Sequence, residues 1–202
     1  TIGLDSRTLT AAVGERHDGT ANSGVRLLRS TDTDSHFITI DSSVGSGGGT
    51  GNQIEWLEFD ANEKGVRTII GCDMYCGAQN CLIHSGRWIM GVSTLIGISM
   101  GNKNIWAANN IIYDLYLNNG SSAVTGVWGI YNTKLDWIAC VNNTIYNMRT
   151  NSSDSADKSE GIYMVNGWYD PLIFNNIVMG TTSENGASPD FAMSYGTQAN
   201  VV

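Results

Sequence analysis

Three stretches of the chain share one pattern of polar and apolar positions. They read ANNIIYDLY (108–116), VNNTIYNMR (141–149) and FNNIVMGTT (174–182), each with two asparagines followed by apolar, β-favouring residues. After each pair the alternation has a period of two residues, which predicts β-strands, and no useful length shows a helical period of 3.6. The predicted strands turn Ile112, Ile145 and Val178 to one side and Tyr113, Tyr146 and Met179 to the other.

The pattern returns at a fixed interval. The pairs Asn109-Asn110, Asn142-Asn143 and Asn175-Asn176 lie 33 residues apart. A second marker, glycine followed by a β-branched residue, recurs every 32 residues at Gly65-Val66, Gly97-Ile98, Gly129-Ile130 and Gly161-Ile162. Such periods are typical of solenoids, whose units bury their inner faces by stacking on their neighbours.

Earlier segments follow the same pattern less closely. QNCLIHSG (79–86) matches the asparagine strand with Cys81 in place of the second Asn. IEWLEFD (54–60) and HFITIDS (36–42) resemble shorter versions, so the coils lengthen along the chain. Several short strands in each repeat predict an all-β fold, a parallel β-helix with coils of about 25 to 33 residues.

The repeated asparagines suit a structural role in that fold. Identical residues of neighbouring coils stack about 4.8 Å apart, and a side-chain amide both donates and accepts hydrogen bonds. One amide can therefore bind the amide of the next coil. We predict a structural ladder, in preference to a catalytic site, formed by Asn109, Asn110, Asn142, Asn143, Asn175 and Asn176.

Composition and charge exclude several classes of partner. The chain has 202 residues, 42% of them hydrophobic and 15% charged, with 24 Gly and a net charge of −8. Negative charge repels phosphate backbones, so no nucleic-acid partner is predicted. No uncharged apolar run of about 18 residues occurs, so no membrane span is predicted.

The four cysteines fit neither a zinc ribbon nor a dense disulfide framework. Cys72, Cys76 and Cys81 lie within ten residues, whereas Cys140 is far away. Buried, stacked thiols are favoured, because free cysteine behaves as a small hydrophobic residue. A disulfide remains the alternative.

The repeats predict one β-helix domain over 1–202. Residues 1–35 are expected to be lead-in strands and loops, and 36–202 the stacked coils. The last twelve residues resemble the start of another coil, and an uncapped solenoid leaves apolar interior and strand edges open. We therefore expect a longer polypeptide, or a C-terminal end covered by further β-helix coils or another chain.

The NNTIYN and GIY units resemble the right-handed parallel β-helix, or pectin-lyase-like, superfamily over roughly 36–202. The lead-in AAVGERHDGTANSGVRLL, with IEWLEFD after it, is similar to that of phage and aquatic-bacterial β-helix proteins of unassigned activity. The superfamily includes polysaccharide lyases, glycoside hydrolases, phage tailspikes and adhesins. The resemblance implies an extracellular, cell-surface or virion location and a long outer face on which a polysaccharide can lie.

Catalytic residues are not evident from the repeat. A lyase of this fold needs a basic residue beside acidic groups that hold Ca²⁺, and a hydrolase needs two or three converging carboxylates. Neither outer face shows a ladder of carboxylates. The isolated candidates are Asp114, Asp136, His84 and Arg87, with Asp114 and Asp136 able to meet across neighbouring coils. Ca²⁺ is the one cofactor that the resemblance allows, and no metal site is predicted.

A second metal reading concerns GERHDG (14–19). His17 and Asp18 are metal-ligand types, but the segment lies outside the repeat and no second ligand cluster accompanies it. It is therefore interpreted as a loop.

Outward tyrosines are the clearest ligand candidates. Tyr113 and Tyr146 are expected to stack as one pair, and Tyr131 and Tyr163 as another. Aromatic rings pack on the apolar faces of sugars, although tyrosine also suits the outer surface of strands for structural reasons.

These observations favour a non-catalytic β-helix module of a virion or cell-surface protein, which acts as a rigid scaffold or binds polysaccharide on one face. Two alternatives remain. One is a polysaccharide lyase or glycoside hydrolase of the same fold, and the other is a structural segment of a filament or sheath.

Overall fold

The fold was examined in a computed structural model of the chain. The structure describes residues 7–32, 35–40, 51–88, 94–118, 126–132, 137–151, 158–164 and 171–183. Apart from one 3₁₀ turn at Val13–Glu15, every regular element in these ranges is a β-strand. In chain order the strands are β1 (Thr8–Thr10), β2 (Arg26–Leu28), β3 (His36–Ile40), β4 (Asn52–Glu55), β5 (Glu58–Asp60), β6 (Thr68–Cys72), β7 (Cys76–Gln79), β8 (Leu82–Trp88), β9 (Thr94–Met100), β10 (Ile105–Ala108), β11 (Ile111–Asn118), β12 (Gly126–Asn132), β13 (Ile138–Val141), β14 (Thr144–Asn151), β15 (Lys158–Met164), β16 (Leu172–Phe174), β17 (Ile177–Met179) and β18 (Thr182–Ser183).

The strands form three parallel sheets that the chain visits in turn. The first sheet has the order β1-β4-β7-β10-β13-β16, and the second has β2-β5-β8-β11-β14-β17 with β18 also paired to β14. The third sheet is β3-β6-β9-β12-β15. Every third strand therefore pairs with its predecessor, which confirms the predicted all-β parallel solenoid. Strands β1 and β2 show that the lead-in contributes to the first coil.

The registers confirm that the coils lengthen. In the first sheet Ile54, Ala78, Ala107, Cys140 and Ile173 occupy one column. Hydrogen bonds between equivalent residues of successive coils span 24, 29 and then 33 residues. The longer coils carry the exact asparagine repeat, which is why the sequence shows it best in its second half.

Two sequence alignments were wrong. Ile98 pairs with Ile70 and not with Val66, so Gly65-Val66 is not equivalent to the three later glycine markers. HFITIDS contributes β3 to the third sheet, so it is not a short version of the asparagine strand. Both errors arose because a fixed interval was extended into coils that are shorter than the repeat.

Stacked aliphatic columns form the core. Ile70, Ile98, Ile130 and Ile162 are fully buried, one above the other in the third sheet. The second sheet contributes a matching column whose isoleucines include Ile112, as the alternation predicted. Each buried isoleucine contributes about 1.5–3 kcal/mol relative to an exposed one, so the interior dominates the stability.

The two asparagines of each pair do different work. Asn109, Asn142 and Asn175 have φ between 53° and 56°, a left-handed conformation that asparagine tolerates better than most residues. They make the two-residue corner between the first and second sheets. Asn80 and Trp56 adopt the same conformation at the equivalent corners of the earlier coils.

The second asparagine of each pair forms the buried ladder. Asn110 Nδ2 donates to Asn143 Oδ1 at 3.0 Å, and Asn143 Nδ2 donates to Asn176 Oδ1 at 2.9 Å. The same oxygens accept the backbone N–H groups of Asn110 and Asn143. At the position above, Cys81 replaces asparagine, and its N–H donates to Asn110 Oδ1 at 3.0 Å.

The cysteines are free and buried, in agreement with the favoured interpretation of stacked thiols. Burial raises the pKa of Cys81 to about 12 and raises that of Cys140 further still. These thiols are therefore neutral apolar groups of the core at physiological pH.

Candidate functional site

A second column of left-handed residues bends the strands of the second sheet. Ser85, Asp114, Asn147 and Gly180 have φ of 57°, 54°, 59° and 66°. The pairings on either side place Asp114 opposite Ser85 and Asn147. Because each strand changes direction at this position, the outer face of the sheet becomes concave beyond it.

The concave face is a groove of about 870 Å³ that crosses several coils. Beyond the bend, Arg87, Tyr116, Arg149 and Thr182 stand in register on β8, β11, β14 and β18. All four line the groove, and Glu63 lines it at the end nearest the first coils. The groove therefore runs perpendicular to the strands, along the axis of the solenoid.

Charged and polar side chains inside the groove are partly paired. Arg87 Nη1 lies 3.4 Å from Glu63 Oε2, and its guanidinium lies over the Tyr116 ring at 5.9 Å from the centroid. Asn147 donates to the Asp114 carboxylate and accepts from Arg149 Nε. The groove thus offers two cations, two carboxylates and one aromatic ring on neighbouring coils.

Two groove-lining residues retain unused hydrogen-bonding capacity. Arg87 Nε and Thr150 Oγ1 are buried and have no hydrogen-bond partner among the described residues. Buried polar atoms of this kind are uncommon, and a bound ligand or water is a physical way to satisfy them.

A buried histidine cluster lies immediately behind the groove. His84 Nε2 lies 2.9 Å from Glu58 Oε1, and His84 Nδ1 lies 2.8 Å from Ser85 Oγ and 3.8 Å from Asp60 Oδ1. Glu58 is fully buried, and Asp60 and His84 are 8% and 5% exposed. Sequence reasoning singled out His84 but missed its partners, because the coil between them is only 26 residues long at this point.

The residue types of this cluster are also those that hold metal ions. One ligand atom from each of Glu58, Asp60 and His84 lies within 4.8 Å of the others. However, Glu58 Oε2 already accepts the Asn22 N–H at 2.8 Å, and the two oxygens of Asp60 face a backbone N–H and Arg26. These donors neutralise the carboxylates, so the arrangement fits a hydrogen-bonded network better than a cation site.

The four predicted tyrosines stack in pairs on two different faces. Tyr113 and Tyr146 are parallel on the second sheet with ring centroids 5.0 Å apart. Tyr131 and Tyr163 stack at 5.2 Å on the third sheet. Burial raises the pKa of Tyr113 to about 12. The two pairs do not form one continuous platform, and their role in ligand binding stays a prediction.

The candidate catalytic residues are separated by the bend. Asp114 and Arg87 line the groove, whereas His84 lies behind it against Tyr113, with ring centroids 4.9 Å apart. Asp136 lies outside the described residues, so its predicted meeting with Asp114 stays untested. Sequence reasoning missed Glu63, Tyr116 and Arg149. The 33-residue interval from Tyr116 to Arg149 was the available signal, and it was hidden because the bend shifts the alternation.

The GERHDG segment is a loop, as interpreted. His17 Nε2 bonds Asn80 O at 2.7 Å, and His17 Nδ1 accepts the Gly19 N–H at 3.2 Å. Asp18 accepts the Thr20 N–H in a local turn. Both ring nitrogens of His17 are therefore occupied by protein groups.

The fold and the groove define this chain as a parallel β-solenoid with a charged and aromatic outer groove. No family model, curated protein or solved structure matches it. Among the residues that the structure describes, no helix has the length and hydropathy to cross a membrane.

Proposed function

We propose that the chain is a β-helix module of a virion or cell-surface protein that binds a polysaccharide in the groove of the second sheet. The observation that carries the proposal is the Arg87–Tyr116–Arg149 column, which repeats a ligand-type side chain on three successive coils. A polymer of repeated units can meet the same spacing of groups at each coil. The sequence resemblance to the pectin-lyase-like superfamily supports an extracellular role for such a module.

The chemistry of the groove suits sugars. The Tyr116 ring offers an apolar face, and Asp114, Asn147 and Thr182 offer acceptors and donors for hydroxyl groups. Arg87 Nε supplies a donor that no described residue uses. Because the supporting strands are parallel and packed on a rigid core, these groups are preorganised for binding.

A polysaccharide lyase or glycoside hydrolase is the second candidate. The observation that favours it is the presence of two carboxylates, Glu63 and Asp114, in the same groove as Arg87 and Arg149. Hydrolysis of a glycosidic bond requires such a carboxylate pair, and β-elimination requires a base beside the substrate. The third reading, a segment of a filament or sheath, needs adhesive coil ends and does not use the groove.

A glycan array followed by analysis of the reaction products tests these functions. Binding without products supports the module, products support the enzyme, and neither result supports the filament segment. For a glycan that binds, Tyr116→Ala should weaken affinity about fivefold, since an aromatic contact contributes about 1 kcal/mol. Tyr163→Ala on the third sheet is the matched control. An equal effect of both variants would place the ligand outside the groove.

A further inference from the structure

Ser85 is an exception within its column. The other bend positions are Asp114, Asn147 and Gly180, residue types that tolerate a left-handed backbone, whereas serine gains no such advantage. Ser85 nevertheless holds φ at 57° and lines the groove. A residue held in an unfavourable conformation beside a groove is a reason to look for function.

The side chain of Ser85 begins a chain of hydrogen bonds. His84 Nε2 faces Glu58 Oε1 at 2.9 Å, so in the neutral imidazole the proton lies on Nε2 and is donated to this carboxylate. Nδ1 is then an acceptor, and Ser85 Oγ lies 2.8 Å from it. Glu58 is itself held by the Asn22 N–H. Nucleophile, base and orienting carboxylate thus stand in sequence.

The surroundings of His84 favour its protonation during a reaction. Asp60 Oδ1 lies 3.8 Å from Nδ1, so two carboxylates face the ring from β5. Tyr113 on β11 covers one face of the imidazole, with the rings 16° apart in plane, and restricts its motion. On the groove side, the unpaired Nε–H of Arg87 can donate to an oxyanion near Ser85.

We propose that Ser85, His84 and Glu58 form a serine-hydrolase relay that cleaves carboxylic esters in the groove. Ser85 Oγ attacks the ester carbonyl carbon while its proton passes to His84 Nδ1, and a tetrahedral oxyanion forms. Collapse of this species breaks the bond to the alcohol oxygen, which takes the proton from His84. Water then attacks the acyl-serine by the same route, which releases the carboxylic acid and restores Ser85.

Glu58 is a positioning residue in this relay, because it touches the histidine and not the substrate. The activity itself does not rest on the proposed function. Only the natural substrate does: if the groove holds a polysaccharide, the ester is an O-acyl substituent of that polymer. Esters can therefore be tested without knowledge of the glycan.

The test uses the full chain, a fluorophosphonate reagent and p-nitrophenyl acetate. Intact mass should show one phosphonate adduct, which peptide mapping places on Ser85, and the ester should be hydrolysed. Ser85→Gly keeps the left-handed backbone and should lose both the adduct and at least nine-tenths of the hydrolysis. Ser99→Gly is the control, since Ser99 faces outward on the third sheet. No adduct on the unaltered chain, or an equal adduct on Ser85→Gly, overturns the proposal.

The histidine and the carboxylate are tested in folded variants. His84→Gln should lower hydrolysis about 100-fold, the usual contribution of a general base. Glu58→Gln should lower it at least tenfold and shift the acid limb of the pH–rate profile to lower pH, because His84 loses an anionic partner. An unchanged profile with normal rates refutes the role of Glu58. Glycan binding by Ser85→Gly is expected to persist, so the two proposals fail separately.

Discussion

Replacement of Asn143 by alanine is the sharpest test of the buried ladder. The Asn143 side chain is fully buried, and it accepts two hydrogen bonds from Asn110, at 3.1 and 3.0 Å. It also donates to Ala107 O and to Asn176 Oδ1, each at 2.9 Å. The variant Asn143→Ala removes all four bonds and leaves their buried partners without this side chain.

The expected loss follows from the number of orphaned groups. Each buried polar group left unpaired costs about 1–3 kcal/mol, and relaxation recovers part of the sum. We therefore expect Asn143→Ala to lower the free energy of unfolding by about 3–5 kcal/mol. Urea unfolding followed by circular dichroism and fluorescence measures this loss, provided that the slope with urea is unchanged.

Asn142→Gly is the matched control, one residue away. Asn142 has φ of 56° at the corner, a conformation that glycine adopts freely, so the loss should stay below about 1 kcal/mol. A loss below about 1 kcal/mol for Asn143→Ala, or an equal loss for the two variants, would refute the separate roles assigned to the asparagines.

Three further predictions concern the core and the outer stack. Gly97→Ala should cost about 1–3 kcal/mol in urea unfolding, because a Cβ there would lie 2.6 Å from Gly129 O; wild-type stability would contradict the close packing. The buried cysteines, including Cys81 with its raised pKa, should react with a thiol reagent only after unfolding, and rapid labelling of the folded chain would be evidence against burial. Burial raises the pKa of Tyr113 to about 12, so its stabilising contribution is complete below the ordinary value of about 10 and is lost as pH rises through 12. Ultraviolet titration of Tyr113→Phe against wild type checks this, and ionisation near pH 10 would disagree with it.

The sequence predicted those parts of the fold that depend on an exact repeat. The asparagine strands, the inward Ile112 and the stacked tyrosines follow from a period of two within strands and of 33 between them. The shorter early coils broke this rule, so Gly65-Val66 and HFITIDS were placed wrongly. Local pattern cannot reveal how many residues a variable connection contains.

The candidate site was less accessible to sequence reasoning. Asp114 and Arg87 were noted, but the groove depends on the left-handed conformation of Asp114 and Ser85, which composition does not show. The Glu58–His84 contact requires the register between two coils of unequal length. Arrangements that arise from bends and from register therefore emerged only in three dimensions.

The two-residue corner between the first and second sheets has a consequence for engineering. It keeps the same length in every coil, from Trp56 through Asn80, Asn109, Asn142 and Asn175. All growth of the coils has taken place in the other two connections of each turn. This edge works as a spine to which foreign loops need not conform, so peptides grafted into the other two connections should be tolerated, whereas one residue added at the spine should unthread every coil that follows.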